Sequence, residues 1–182
     1  MATRTLRSTA AQVVQVSTVQ VTAYDAATTY SLTVNGNSIS VIAAGGVNQT
    51  ATALSAAWNA STIPEFTGVT ASPSTDTVTL TADVAGVPFT ATSDDSGGTG
   101  TIGSVTAVTA ASGQAWWSTA NNWSGATVPV NSDIAILDGA SPVLYGLDQS
   151  AVTVAELRIM RRFTGYAGLP KRNALGYSEY FD

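Results

Sequence analysis

At 182 residues the chain is long enough to bury a core without disulfides or metals, and having neither cysteine nor histidine it lacks a thiolate nucleophile, a thiolate metal site, the usual general base near neutral pH and the commonest zinc ligand. Only 10% of its residues are charged, against about a quarter in an ordinary soluble domain, so the surface is mostly methyl and hydroxyl and suits coverage by partners. The net charge is -5, and every basic residue lies towards an end: Arg4, Arg7, Arg158, Arg161, Arg162, Lys171 and Arg172. Between Ser8 and Leu157 there are carboxylates and no cation, which disfavours a phosphate-binding groove and hence nucleic acid.

The opening MATRTLRSTAAQ has no uninterrupted apolar core of a signal peptide, and no apolar stretch nears the roughly 20 residues that span a bilayer. The expectation is a protein made in the cytoplasm with no membrane partner. Residues 1–15 read as an N-terminal arm. From Ala10 to Val21, valines alternate with Gln, Ser and Thr as in a strand. Tyr30 to Val34 and Ser38 to Ile42 flank Asn35, Gly36 and Asn37, and Asn-Gly is the strongest short hairpin signal. After Gly45 and Gly46 the period changes: Val47, Ala51, Leu54 and Trp58 share a helical face, with Asn48 as the expected cap of a helix running to about Ala60.

Strands are expected at Gly68 to Ser72 and Thr77 to Ala82, joined through Pro73, Ser74, Thr75 and Asp76, and another at Val87 to Thr92, opened by Pro88. Residues 16–92 thus read as a small antiparallel ββαββ module with one helix on one face. SDDSGGTGTIG, followed by SVTAVTA, reads as a linker and connecting strand over 93–113 and as the best domain boundary. Residues 114–160, opening on QAWWSTANNWSGATVP, form an aromatic-rich β segment, either a sandwich or the first coils of a β-helix. Residues 161–182, rich in Gly and Tyr, read as an irregular C-terminal arm that lies on a neighbour. The fold class is mainly β with one helix, α+β.

YSLTVNGNSISV, the NQTATALSAAWNA helix and GVTASPSTDTVTLTADVAGVPFTAT together resemble a module that recurs in tailed-phage structural and tail proteins and in related bacterial surface proteins. The likeness covers roughly Val16 to Thr92. The second part is similar to phage virion proteins with the pattern WW.T..NWS...VP...D.A.., here Trp116, Trp117, Thr119, Asn122, Trp123, Ser124, Val128, Pro129, Asp133 and Ala135. It continues into FTG..GLP at Phe163, Thr164, Gly165, Gly168, Leu169 and Pro170. The resemblance implies a non-enzymatic virion structural protein. As a capsid decoration or cement protein it would contact copies of itself, by expectation as a trimer, and virion proteins such as the major capsid protein. A tail or fibre-base component that recognises a host glycan is the alternative, and a carbohydrate-active enzyme the third reading.

Several residues carry candidate chemistry. The basic ends, Arg4, Arg7, Arg161, Arg162, Lys171 and Arg172, could dock on acidic protein neighbours, or be solvated tails. Trp116, Trp117, Trp123 and Tyr145 could offer a platform to a sugar ring, or plug the core or an intersubunit seam. Asp94 and Asp95 could hold calcium through carboxylate oxygens, or belong to a solvated acidic loop. Asp133, Asp138 and Asp148 include enough carboxyl groups for glycoside hydrolysis, but their spacing matches no motif and each reads better as closing a turn. No cofactor and no metal site is expected.

Overall fold

The chain folds as two units, one made of residues 14–111 and the other of residues 1–13 together with 112–182. The computed structural model describes residues 1–139, 143–147, 149–167, 170–172 and 178–180, with backbone alone at 143, 166–167, 170–172 and 178–180. The protein is mainly β with one main helix, as expected. After the short strand β1 (Thr3–Thr5) the chain enters the continuous unit.

That unit begins with β2 (Val16–Ala23), β3 (Thr29–Val34) and β4 (Asn37–Ile42). β3 and β4 pair with Val34 opposite Asn37, so their loop is the two residues Asn35 and Gly36, at φ 45° and 89°. Positive φ at both positions matches the strand twist, and glycine adopts it without strain. Next comes α1 (Val47–Ala60), which buries Ala51, Leu54 and Trp58 on the face that the spacing predicts. Its cap is Gly46 and not Asn48, which lies inside the first turn. Thr50 Oγ1 accepts the Ala44 N–H at 3.1 Å and ties the chain down ahead of that turn.

A short helix α2 (Pro64–Thr67), unforeseen in the sequence, starts on a proline whose missing N–H costs nothing there. β5 (Val69–Ser74) and β6 (Thr77–Ala82) pair around Thr75 and Asp76, which places Pro73 inside β5. β5 is an edge strand, where a missing donor is tolerated. The strand expected at Val87 to Thr92 lies further on, as β7 (Ala91–Ser96). Gln15 explains the shift: its Oε1 accepts Phe89 N–H at 3.1 Å and its Nε2 donates to Phe89 O at 2.7 Å, in place of a strand partner.

β8 (Thr101–Ile102) and β9 (Thr106–Thr109) complete the unit. One sheet runs β5-β6-β2-β8, with β9 also on β2, and a second runs β4-β3-β7. The ββαββ order is therefore divided between two sheets instead of forming one. Val19, Val21, Tyr30, Leu32, Val34, Val78 and Leu80 from the sheets meet Leu54, Trp58 and Phe66 from the helices in a single core. Trp58 sits edge-on to Phe66 at 4.7 Å and donates its indole N–H to Val69 O at 2.7 Å, so the largest side chain there carries no unmet donor.

Residues 93–113 are not a linker. Asp94 and Asp95 lie in β7 opposite Ser31 and Tyr30 of β3, and the GGTG loop is pinned: Asp25 Oδ2 accepts Thr99 N–H at 2.7 Å and Thr28 Oγ1 accepts Gly100 N–H at 2.9 Å. A Cβ at Gly100 would overlap the Tyr30 hydroxyl. Gly100→Ala is therefore expected to cost about 1–3 kcal/mol through displacement of Tyr30, read as a lower midpoint in denaturant unfolding. An unchanged midpoint would show that the loop is loose.

The other unit is discontinuous. Its strands are β1, β10 (Ile134–Leu137), β11 (Val143–Leu144), β12 (Glu156–Ile159), β13 (Tyr166–Ala167), β14 (Pro170–Arg172) and β15 (Ser178–Tyr180). β1, β10 and β12 form a parallel sheet in that order. Ile134 pairs with Glu156 and Val143 with Tyr166, both in parallel, at offsets of 22 and 23 residues. Parallel pairing at offsets this close is what stacked coils produce, so of the two forms expected for 114–160 the described strands fit the β-helix-like one, while Trp116 pairs in parallel with Tyr145 at the longer offset of 29.

The N-terminal arm is thus a strand of the first coil. Residues 14–111 interrupt that coil in sequence, leaving and rejoining it at Val13 and Ser112, where Val13 N–H donates to Ser112 O at 2.8 Å. The C-terminal stretch is likewise not irregular throughout, because β13 pairs with β11 and β14 pairs antiparallel with β15. Leu6, Trp117, Trp123, Ala135, Leu137 and Leu144 form this unit's core.

Candidate assembly surface

Trp117 and Trp123 are buried edge-to-face at 4.7 Å, and Trp123 donates its indole N–H to Trp117 O at 2.7 Å. Tyr145 is buried as well, against the half-buried Trp116 at 5.4 Å. These four residues do come together, but with three of them inside the core they leave no aromatic platform for a sugar. Asn122, fully buried beside them, organises the coil: its Nδ2 donates to Gly113 O at 2.6 Å and Trp116 O at 2.8 Å, and its Oδ1 accepts Ala10 N–H at 3.0 Å. Among the described residues, Trp117 Nε1 is buried without a hydrogen-bond partner.

The described cations make separate contacts. All of them belong to the discontinuous unit, while residues 14–111 contain six carboxylates (Asp25, Glu65, Asp76, Asp83, Asp94, Asp95) and no Lys or Arg. Arg4 is an internal strut, with Nε 3.4 Å from Asp133 Oδ2 and Nη1 donating to Ser124 O at 3.4 Å. Arg162 grips Asp138 through two bonds of 3.0 and 2.7 Å. Arg158 grips Glu156 through two bonds of 2.7 Å. Arg7 and Arg161 are exposed. The side chains of Lys171 and Arg172 lie outside the described residues.

The carboxylates are occupied structurally. Asp94 and Asp95 are consecutive in a strand and so point to opposite faces, which prevents them from chelating one cation together. Asp95 Oδ2 accepts Ile102 N–H at 2.9 Å. Among the described residues no group of three or more acidic side chains is placed to hold a metal, and no helix is long and apolar enough to cross a membrane. Asp148 lies outside the described residues. The Ala2 N–H, 2.7 Å from Oδ1, is the main influence holding the Asp133 carboxyl below its usual value, followed by Val130 N–H and Arg4. The Arg162 hydrogen bonds lower Asp138 in the same way. Neither is suited to donate a proton near neutrality, as glycoside hydrolysis requires of one partner.

The depressed Asp133 value sets a pH dependence. The carboxylate is favoured in the fold, so its contribution is complete above the unfolded value of about 3.9 and is lost as pH falls through the lower folded value. Asp133→Asn should therefore lower the thermal midpoint at pH 7, and the gap to wild type should close as pH falls below about 3.9. A gap that is constant from pH 7 into acid would rule out the carboxylate's charge as the cause.

The two edges of the parallel sheet differ. Beyond β1 the edge is closed by Ser124, whose N–H donates to Thr5 O at 2.9 Å and whose Oγ accepts Thr5 N–H at 3.0 Å. Beyond β12 no described strand follows. Leu157 and Ile159 sit in register with Ala135 and Leu137 and on the same face, yet Ala135 and Leu137 are 0% and 1% exposed and Leu157 and Ile159 are 49% and 62% exposed. Among the described residues, no strand covers the inward face of the coil that carries β12.

No protein-family model matches the chain, and no curated protein matches it.

Sequence reasoning missed Leu157 and Ile159 as surface residues, although the recurrence of Ala135 and Leu137 as Leu157 and Ile159, 22 residues on, is a signal that a search for internal repeats can find. In the continuous unit, Asn48, Gln49, Thr52, Ala53 and Ala56 border an open depression of about 430 Å³. It is lined by one helix and no charged group, unlike the enclosed clefts that hold small molecules.

Proposed function

We propose that this chain is a non-enzymatic structural protein of a bacteriophage particle, a capsid decoration or cement protein made in the host cytoplasm. It acts through contact area, with copies of itself and with neighbours such as the major capsid protein. The observation that carries this reading is the open coil end, where Leu157 and Ile159 stand exposed on one face in a chain of which only 10% is charged. A stacked-coil unit whose β12 coil presents an exposed apolar inward face calls for a covering partner. The particle itself comes from the resemblance of residues 16–92 and of the WW…NWS segment to tailed-phage proteins.

Imaging of intact virions with this chain located, together with heat and chelator challenge of virions lacking it, tests the reading. Density on the capsid and early loss of genome from the deleted particles are expected. Absence from the head with unchanged robustness would overturn it. Stacked coils extend along one axis, which favours a tail component as the second reading, and the same images separate the two.

A further inference from the structure

The occupant of the open coil end can be argued from the strand that forms it. Ile134 donates its N–H to Ala2 O on the β1 side, and Met160 donates to Leu137 O on the β12 side. Strand alternation therefore turns the main-chain N–H and C=O of Leu157 and Ile159 outwards, a ready template for another strand, whereas the Ala155 N–H is already bonded to Asp133 O at 2.8 Å and leaves only its C=O to meet Ile159 of a second copy. Glu156 and Arg158 share the opposite side-chain face and, about half exposed, pair with each other.

We infer that β12 is the pairing edge of a two-fold dimer, in which the β12 strands of two copies run antiparallel and the open ends of two coil stacks close on each other. Charge selects the register. Centred on Leu157, the pairing sets Glu156 of each copy opposite Arg158 of the other, sets Leu157 opposite Leu157, and Ala155 opposite Ile159. With its centre moved to Arg158, a slide of two residues, it sets Arg158 opposite Arg158 and forfeits both ion pairs. Residues opposite each other across a ladder point to the same face, so Leu157 and Ile159 of both copies turn to one side, continuous with Ala135 and Leu137. The dimer thus joins two half-covered interiors into one, and being isologous it closes at two copies. The edge beyond β1, already bonded to Ser124, does not compete. This deepens the self-association proposed above and replaces its expected three-fold form, but it does not require that the particle be a phage.

The test uses the full chain and two single variants, Glu156→Arg and Arg158→Glu, with native mass measurement at ~10 μM chain. Wild type is expected as a dimer. Each variant alone faces like charges across the two-fold and should dimerise about tenfold more weakly or worse. Mixed one to one, they should recover as a heterodimer, because the strand carrying two arginines then meets the strand carrying two glutamates. Recovery cannot come from the intrachain Glu156–Arg158 pair, which is broken in both variants, and it shows in addition that both fold. A wild-type monomer or trimer, variants that self-associate as tightly as wild type, or a mixture that stays monomeric would each overturn the inference. A dimer with no place on a virion would sink the particle reading alone, and a virion component that is monomeric would sink the pairing alone.

Discussion

Trp123→Ala should remove about 3–5 kcal/mol of stability from the discontinuous unit, the range for truncating a large buried aromatic side chain. The indole is 1% exposed, packs edge-on against Trp117 and closes a hydrogen bond to Trp117 O. Its loss opens a cavity among Leu6, Ala135, Leu137 and Leu144 and leaves that carbonyl buried without its donor. Such a loss is a large fraction of a typical domain's total stability. Denaturant unfolding with amide exchange should show the damage concentrated in residues 1–13 and 112–167. A loss below about 1 kcal/mol would mean that the site collapses around the deletion or was never packed as described.

Trp58→Ala is the matching experiment for residues 14–111, again with about 3–5 kcal/mol expected. Trp58 is fully buried, touches Phe66 and satisfies its N–H on Val69 O. It holds α1 against β5, and Asn59 reinforces the junction by donating to Ala71 O at 2.7 Å and accepting Ala71 N–H at 2.9 Å. Trp58→Phe, which keeps most of the volume and loses the donor, should cost about 1–3 kcal/mol, so the pair of variants separates packing from the hydrogen bond. Equal losses for both would assign the whole effect to the bond.

Several elements were legible because their causes are local. The Asn35-Gly36 turn needs only the φ preferences of two residues. The inward face of α1 needs only a 3.6-residue period, and β6 only the alternation of Val78 and Leu80 with threonines. Composition alone set the chemical character of the chain, since no fold can restore a thiol or an imidazole that the sequence lacks.

The tertiary structure decided the rest, wherever the partner is remote in sequence. Thr3 pairs with Ile134, an offset of 131 residues, so the first residues carry no local sign that they belong to a coil. The GGTG loop resembles a linker until Asp25, Thr28 and Tyr30 are placed against it, since glycine serves free chain and close approach equally well. The same holds for the side chains: Trp123 could equally have been a platform or a plug, and Arg4 a docking group or a strut, until the core and Asp133 were in place. Burial and pairing are properties of surroundings, and surroundings are assembled from distant residues that periodicity within a short window does not connect.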